Sequence, residues 1–554
     1  MYMQKPSIIL DILNKQSSKN YNIKNIYHHL YNKQFYIEAY YNLTKSTKEI
    51  LPKYLNRIDD IIKEMKSERY SWSKTNSSEE VSGGLSNLKI SEWKDLLVQE
   101  VLRMILSSIY EDKFLDSSHW MIKNRDVSTA LKRVYTKSQA CEFFIEGSIN
   151  SLFNSFNYTI LDILRKTMSD NRFIELIRKF LKAGKFGKDL IYTQTYSGIP
   201  YGNGLTPLLS NIFLNELDNM IDCTFNKEFN RESSKQISKE YNQIKRDIEN
   251  RGKSLKNPNS YRFTRKHQTV DNIKDELKEL RKKLRHTPCR VKTEDSNYRR
   301  FSYTRYANTW IISFTGTFNE ANDIAERIKT FIFEKLNLSS EYRVVNSYTK
   351  KSPARFLNYE LITQWSNTHI IDGKRINSGQ IAFLVPERII RDRMSKYLKD
   401  NKPIHLVYRQ NESVFDIIKQ YQSEYSGFMQ YYKYARNQQA LTKLKYVTEI
   451  SLTKTLASKL KISVPKVYKR FGSTCTYDGK TYKVLKTFVI TNDEKIIETH
   501  FGAIPFKRIK YFEYNRVNDF INQQFVNRNS YSFKLQNNKC LICESTKNIV
   551  HTNL

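Results

Sequence analysis

The chain has 554 residues, with 92 Lys and Arg against 57 Asp and Glu, so its formal net charge is +35 and its pI about 9.6. With 39% hydrophobic and 13% aromatic residues it can build packed cores, which excludes wholesale disorder, and only 16 Gly and 11 Pro exclude collagen-like and proline-rich chains. No apolar run approaches the ~18 residues that suggest a transmembrane helix, and six scattered cysteines argue for a reducing compartment rather than a disulfide scaffold.

Length predicts roughly three or four domains. Residues 7–67 read as helical, opening on Ile8, Ile9, Leu10, Ile12 and Leu13, with a polar break at Ser17–Asn20. The polar, Gly/Ser-rich stretch Ser71–Ser91 reads as a loop. Leu96–Tyr110 has a helical period, with Leu97, Val101, Met104, Ile105 and Ile109 on one side. Glu142–Phe156 reads as a strand and turn, Tyr158–Ala183 as a helix stopped by Gly184, and Pro200–Asp222 as a glycine-bearing turn entering a helix. From Asn226 to Arg300 the composition turns strongly charged, with a helical period over Val270–Leu284, which predicts an inserted charged helical excursion. Tyr303–Phe314 reads as a hairpin of buried strands, Glu320–Leu336 as a helix and Arg355–Thr363 as a strand. Residues 379–472 are mostly helical and basic, and 495–554 basic and aromatic.

A positive surplus of this size calls for a polyanionic partner, RNA or DNA. The basic residues run along the whole chain, which suggests a long surface lying on nucleic acid rather than an accessory arm, and some of the 37 Tyr and 30 Phe can stack on unpaired bases. The Lys-, Asn-, Tyr- and Ile-rich usage fits an AT-rich coding sequence, as in organelle genomes and some bacteria. The N-terminus has neither an Arg-rich presequence nor an apolar signal core, as expected of a protein made in the compartment where it works.

Five blocks, in order, resemble the reverse transcriptases of group II intron maturases. The opening "SIILDILNKQSSKNYNIKNIYHHLYNKQFYIEAYYNL" is similar to their N-terminal extension. "LLVQEVLRMILSSIYEDKFLDSSH" with "STALKRV" resembles the finger helices. "EFFIEGSINSLFN", "DNRFIELIRKFLKAGK" and "YSGIPYGNGLTPLLSNIFLNELD" resemble the first palm strand, its helix and the Pro-Gln-Gly turn. "YTRYANTWIISFTG" with "ARFLNYELI" resembles the Tyr-Ala-Asp-Asp hairpin and the following strand. Gly427–Gly472 is similar to the maturase domain, domain X.

The resemblance implies an α+β fold: right-hand-like fingers and palm, a helical thumb with domain X, and a small C-terminal basic domain. The corresponding divisions are 1–67 for the N-terminal extension and start of the fingers, 68–365 for fingers and palm with the insertion at about 226–300, 366–480 for thumb and domain X, and 481–554 for a C-terminal basic region. Apolar palm positions (Phe143, Ile145, Phe153, Ile212, Leu214, Trp310, Ile312, Phe356 and Leu357) are intact.

The departures from the family pattern bear on activity. Family polymerisation resembles two-metal chemistry, in which hard Mg2+ ions need carboxylate oxygens. The family has one Asp at the end of the first palm strand and two at the hairpin tip; here those positions are Ser148, Asn308 and Thr309. Glu146, two residues before Ser148, would share its face in a strand, but one carboxylate cannot hold two Mg2+ ions. The Pro-Gln-Gly turn is Pro200-Tyr201-Gly202, and the Gly-Phe-Arg-Pro element reads Trp120-Met121-Ile122-Lys123. The expectation is a polymerase scaffold without polymerase activity, not an enzyme.

Gly427–Gly472 reads as two linked helices that mix aromatic and basic groups. Its expected RNA contacts are Tyr431, Tyr432, Arg436, Lys443, Lys445, Lys454, Lys459, Lys461, Lys466, Lys469 and Arg470; Tyr434, Asn437, Thr453 and Thr455 stand in the same stretch. By resemblance the partner is a group II (or related group III) intron RNA, and the protein is a splicing cofactor that stabilises the active RNA fold. The alternative is an intron-encoded reverse transcriptase and homing endonuclease of a mobile group II intron. At the C-terminus, Cys540, Cys543 and His551 resemble part of a His-Asn-His endonuclease module without its second Cys pair. Three ligands fall short of the four of a structural zinc site, unless His500 or Cys475 supplies the fourth. The expectation is therefore a relic, with no cofactor (zinc as the alternative), no membrane and no functional DNA cleavage. The expected compartment is a plastid, then a mitochondrion, then a bacterial cytoplasm. The sequence sets no oligomeric state.

Overall fold

The computed structural model describes residues 4–44, 52–73, 90–150, 159–183, 204–231, 238–256, 270–287, 297–365, 370–371, 374–375, 379–477, 479–490 and 496–504. The Ser71–Ser91 loop (from residue 74 to 89), Phe153, Gly184, the Pro200-Tyr201-Gly202 turn, and Cys540, Cys543 and His551 lie outside the described residues.

Helices and sheets mix in an α+β arrangement. The first 66 residues give α1 (Pro6–Ser18), α2 (Lys33–Thr44) and α3 (Pro52–Lys66). On α1 the packed face is Pro6, Ile9, Leu13 and Ser17, spaced three and four apart on one side of the helix, while Ile8 and Ile12, about 100° round from it, are exposed. Next come α4 (Ile90–Tyr110) and α5 (Val127–Lys137). Helix α5 begins in a capping box: the Asp126 carboxylate accepts from Thr129 N at 2.7 Å, and the Asp126 amide donates to Thr129 Oγ1 at 2.8 Å. Strand β1 (Phe143–Asn150) follows. The stretch expected as one helix divides into α6 (Thr159–Thr167) and α7 (Asn171–Lys182), because Asp170 turns its side chain back to cap Arg172 N and Phe173 N and also accepts from Tyr27 N.

Helix α8 (Leu205–Phe229) is buried on nearly every side through Leu214, the pattern of a central helix. The charged excursion forms α9 (Lys239–Lys256) and α10 (Val270–His286). These two pack on each other around Ile244, Ile273 and Leu277, with Arg251 and Glu276 paired at 2.8 Å. After them come β2 (Arg300–Tyr306), β3 (Thr309–Thr315), α11 (Phe318–Leu336) and β4 (Ser339–Asn346). The expected strand over 355–363 is instead a tight hairpin of β5 (Ala354–Phe356) and β6 (Tyr359–Thr363). Its turn residues Leu357 and Asn358 both have φ near +50° to +60°, which reverses the chain in two residues. Strand β7 (Ile381–Leu384) adds to β6.

The remaining elements are α12 (Glu387–Ser395), α13 (Val414–Tyr431), α14 (Thr442–Leu460) and α15 (Val464–Phe471), then β8 (Gly472–Tyr477), β9 (Lys480–Ile490) and β10 (Ile496–Phe501). The β8–β9–β10 sheet is antiparallel and packs on α13. A division after residue 480 falls at the start of β9, inside a hairpin whose other strand is β8.

The central sheet runs β2-β3-β1-β4, all antiparallel neighbours. Its two faces serve two cores. Ile145, Tyr303, Trp310, Ile312 and Phe314 join the core built on α4, α7, α8 and α11. Phe144, Tyr306, Ile311 and Val345 face a second core that continues through β5–β7 into α13 and α14. Gly147 has a specific reason: a Cβ there would lie 2.1 Å from the Trp310 ring, so the indole crosses β1 only where no side chain stands. Among the described residues no helix is long and apolar enough to cross a membrane.

Candidate functional site

Two places carry the residues singled out in the sequence: the end of the central sheet, and the α14–α15 face.

At the sheet end the three expected positions do meet. Ser148 on β1 is the Cα partner of Thr309 on β3, and Asn308, in the turn before β3, exchanges two hydrogen bonds with Ile149: its carbonyl accepts from Ile149 N at 2.9 Å and its Nδ2 donates to Ile149 O at 3.1 Å. Thr309 Oγ1 donates to Tyr306 O at 2.9 Å. On the other side of Ser148 the register places Glu341 of β4, an exposed residue whose carboxylate accepts from Asn150 Nδ2 at 2.9 Å. Sequence reasoning missed Glu341, because nothing local tells which β4 residue faces Ser148.

Glu146 lies one pleat further along the same face and is occupied. Its carboxylate takes Arg343 Nε at 2.5 Å and also accepts from the Arg355 amide. The donor set is thus two hydroxyls, one carboxamide, a carboxylate bound to a guanidinium, and Glu341. Such a set does not fit a pair of hard Mg2+ ions, which take carboxylate oxygens. Among the described residues no group of three or more His, Cys, Asp or Glu stands where it could hold a metal ion.

Beneath the tip lies a network that the sequence did not announce. Arg305 and Asp218 are both fully buried. The guanidinium binds Asp218 through two bonds of 2.8 and 2.7 Å, and its remaining N–H groups reach Ser118 Oγ (2.6 Å), Asn211 Oδ1 (3.3 Å) and the Ala307 carbonyl (3.1 Å). All five guanidinium N–H donors are matched, and Tyr303 OH adds a bond to Asp218 at 2.8 Å. Burial opposes the Arg305 charge, but Asp218 outweighs it and holds the group above its ordinary pKa. The network fixes Ala307, which sits at φ +53°, and with it the turn carrying Asn308. Beside it, His119 is buried with Nδ1 against Thr129 Oγ1 at 2.9 Å. Burial, then Arg133, Arg125 and Arg305, lower its pKa to about 3.

In the C-terminal helices, Tyr431 and Tyr432 are not surface contacts. Tyr432 is buried and Tyr431 half-buried, and their hydroxyls donate to the turn carbonyls of Asn358 (3.0 Å) and Leu357 (2.7 Å). Tyr359 stacks on Tyr431 at 5.8 Å. They fasten α13 to the β5–β6 hairpin. Tyr434, Thr453 and Thr455 are likewise buried. Thr455 accepts from Leu406 N and bonds Tyr421 OH, and the Asn437 side chain brackets the Val385 peptide. The segment read as two helices is the end of α13, then α14 and α15.

The basic residues keep a surface. Arg436, Lys443, Lys454, Lys461, Lys466, Lys469 and Arg470 are exposed, while Lys445 and Lys459 are half-buried. Two are tethered: Lys454 Nζ donates to Pro403 O at 2.7 Å and Lys459 Nζ to Gln410 O at 2.9 Å. Residues 442–471 contain eight Lys and Arg against the single acid Glu449. The aromatic groups on this face are Tyr446 (65% exposed) and Tyr468 (40%), the latter donating to Glu449 at 3.2 Å. A helical wheel signals Tyr446, which lies off the Leu444–Thr448–Leu452 stripe buried on α14. Cys475 and His500 lie on β8 and β10, opposite Tyr482 and Lys486 of β9. Four residues of strand separate those partners, about 13 Å.

A chain with this mixed fold, a carboxylate-poor sheet end and a basic helical face matches the Type II intron maturase family model over residues 380–520. It is 32% identical to the group II intron-encoded protein LtrA of Lactococcus lactis over 87% of this chain and 82% of that one. It is also 27% identical to an uncharacterized 91 kDa protein in the cob intron of Schizosaccharomyces pombe (97% of this chain, 66% of that one) and 27% identical to a putative COX1/OXI3 intron 1 protein of Saccharomyces cerevisiae (84% and 55%). The chain belongs to the group II intron-encoded maturase and reverse transcriptase-like family.

Proposed function

We propose that this protein is an RNA-binding maturase that assists splicing of a group II (or group III) intron by stabilising the folded intron RNA, and that it does not polymerise DNA. In this reading the central sheet and its helices are the palm and fingers of a right hand, kept as scaffold, and α13–α15 with the β8–β10 sheet form the thumb and domain X. The observation that carries it is the sheet end. Ser148, Asn308 and Thr309 converge where the family has three carboxylates, and Glu146 is tied to Arg343. What then remains is surface: the exposed cations of α14 and α15 can neutralise phosphates while Tyr446 and Tyr468 meet unpaired bases. The RNA performs the transesterification, and the protein favours its active fold by mass action.

No metal cofactor is proposed, and the Cys540, Cys543 and His551 segment is proposed to be a relic without DNA cleavage. Relatives in a bacterium and in yeast introns leave an organelle or a bacterium as origin; a plastid is proposed first, on the resemblance to degenerate maturase-like proteins of plastid genomes, ahead of a mitochondrion. The test is twofold. Primer extension on an RNA template with Mg2+ or Mn2+ should give no incorporation above a Ser148→Ala control, and the protein should lower the Mg2+ needed for splicing of its intron. Incorporation above that control would favour the alternative, a mobile-intron reverse transcriptase.

A further inference from the structure

Along the outer edge of β2, the C-terminal parts of α5 and α8 enclose a cavity of about 460 Å³. That volume lies within the ~300–1,000 Å³ of small-ligand sites. Its charged lining is Arg133 and Lys137 from α5, Arg300 from β2, and a single carboxylate, Asp222 from α8. None of the four forms a salt bridge among the described residues. Asp222 accepts from Asn226 on the same helix, and Arg300 donates one Nη to the Lys137 carbonyl.

Arg133 is the informative member. It is half-buried, and its Nε donates to the Tyr303 carbonyl at 3.2 Å. Its two Nη groups have no partner among the described residues. Burial pulls this guanidinium below its ordinary pKa, and the Asp116 charge restores only part of it. A cation taken out of water without an anion is costly, and its four remaining N–H donors are arranged for a planar or tetrahedral oxyanion. Asn226, Asn230 and Ser302 add neutral polar side chains to the same wall, suited to sugar hydroxyls.

We infer that this pocket seats a phosphodiester of single-stranded RNA, with Arg133 and Lys137 on the phosphate, as a second RNA contact separate from the α14–α15 face. The assignment rests on the RNA-binding reading above and extends it to α5, α8 and β2. The strand, rather than a free nucleotide, fits a chain carrying +35 overall.

The test uses the full chain, a short oligouridylate containing 4-thiouridine, photo-crosslinking and peptide mapping by mass spectrometry. Wild type should give adducts both in the pocket walls (residues 222–230 and 297–303) and in residues 442–471. Arg133→Gln with Lys137→Gln should lower the pocket adducts at least about tenfold and leave the 442–471 adducts unchanged, and Arg133→Lys should restore most of the loss. Lys137→Gln alone, at an exposed position, should lower them several-fold and serves where the double variant does not fold. Pocket adducts that are absent, or insensitive to these variants, beside normal 442–471 adducts overturn the pocket assignment alone. Pocket adducts removed by millimolar UMP overturn the strand assignment in favour of a free nucleotide. Loss of adducts in both regions of the wild type overturns the RNA-binding reading itself.

Discussion

Neutralising the exposed face of α14 and α15 should flatten the salt dependence of RNA binding by a calculable amount. Six cations there are solvent-exposed: Lys443, Lys454, Lys461, Lys466, Lys469 and Arg470. If each meets one phosphate of single-stranded RNA, log K falls with log[salt] at about 0.7 per contact. Raising salt fourfold then weakens wild-type binding about 300-fold. Lys443→Gln, Lys466→Gln and Lys469→Gln remove three contacts from residues that make no described hydrogen bond to the fold, leaving a loss of about 20-fold over the same range. Tyr446→Ala should behave differently. Loss of a stacked base costs about 1–3 kcal/mol, roughly 5- to 150-fold in Kd, with the salt slope unchanged. The assay is filter binding or fluorescence anisotropy with the intron transcript at four or more salt concentrations. A triple variant with the wild-type slope would refute the view that this face contacts the RNA backbone. A slope change on Tyr446→Ala would show that the substitution disturbs the helix rather than a stack.

Three further outcomes concern the scaffold. Asp218→Asn should destabilise the protein by about 3–5 kcal/mol because Arg305 stays buried without its counter-ion; Asp218→Leu with Arg305→Met should recover most of that, and equal urea midpoints for wild type and Asp218→Asn would contradict it. Gly147→Ala, forced against the Trp310 ring, should cost about 1–3 kcal/mol or more, read as a fall in Tm; an unchanged Tm would mean the indole moves freely. His119, with a folded pKa of about 3 against about 6.5 unfolded, stays neutral in the native state while the unfolded chain takes up a proton. Its contribution is therefore intact above about pH 6.5 and is lost as pH falls toward 3. Between pH 7 and 5 the loss is about 2 kcal/mol, and a His119→Gln variant should lack that share of the acid sensitivity in urea titrations at the two pH values.

Local pattern made the hairpin of β2 and β3 and the helix α11 legible, because a two-residue turn and strand alternation fix which residues share an end and a face, whereas the meeting of Ser148 with Asn308 and Thr309 was expected only through the resemblance to the family. Long-range register was not legible. Glu341 faces Ser148 across 193 positions of sequence, since β4 is the neighbour of β1 on the side away from β3. Nor was the exposure of aromatic residues: Tyr431 and Tyr432 stand in a run as basic and aromatic as Tyr446, and only the β5–β6 turn packed on α13 decides that the first two point inward. The Arg305–Asp218 pair joins these two lessons. The strand reads from sequence as buried, but nothing there gives Arg305 a partner; it is fully buried and one of its bonds holds the Ala307 carbonyl. From β2 it reaches the 118 loop, α8 and the Ala307 carbonyl, so it fastens these segments at the base of the Asn308–Thr309 turn. The tip is thus held by protein groups alone. In the proposed reading, this is what lets the sheet end persist as the joint between the two hydrophobic cores with Ser148, Asn308 and Thr309 in place of carboxylates.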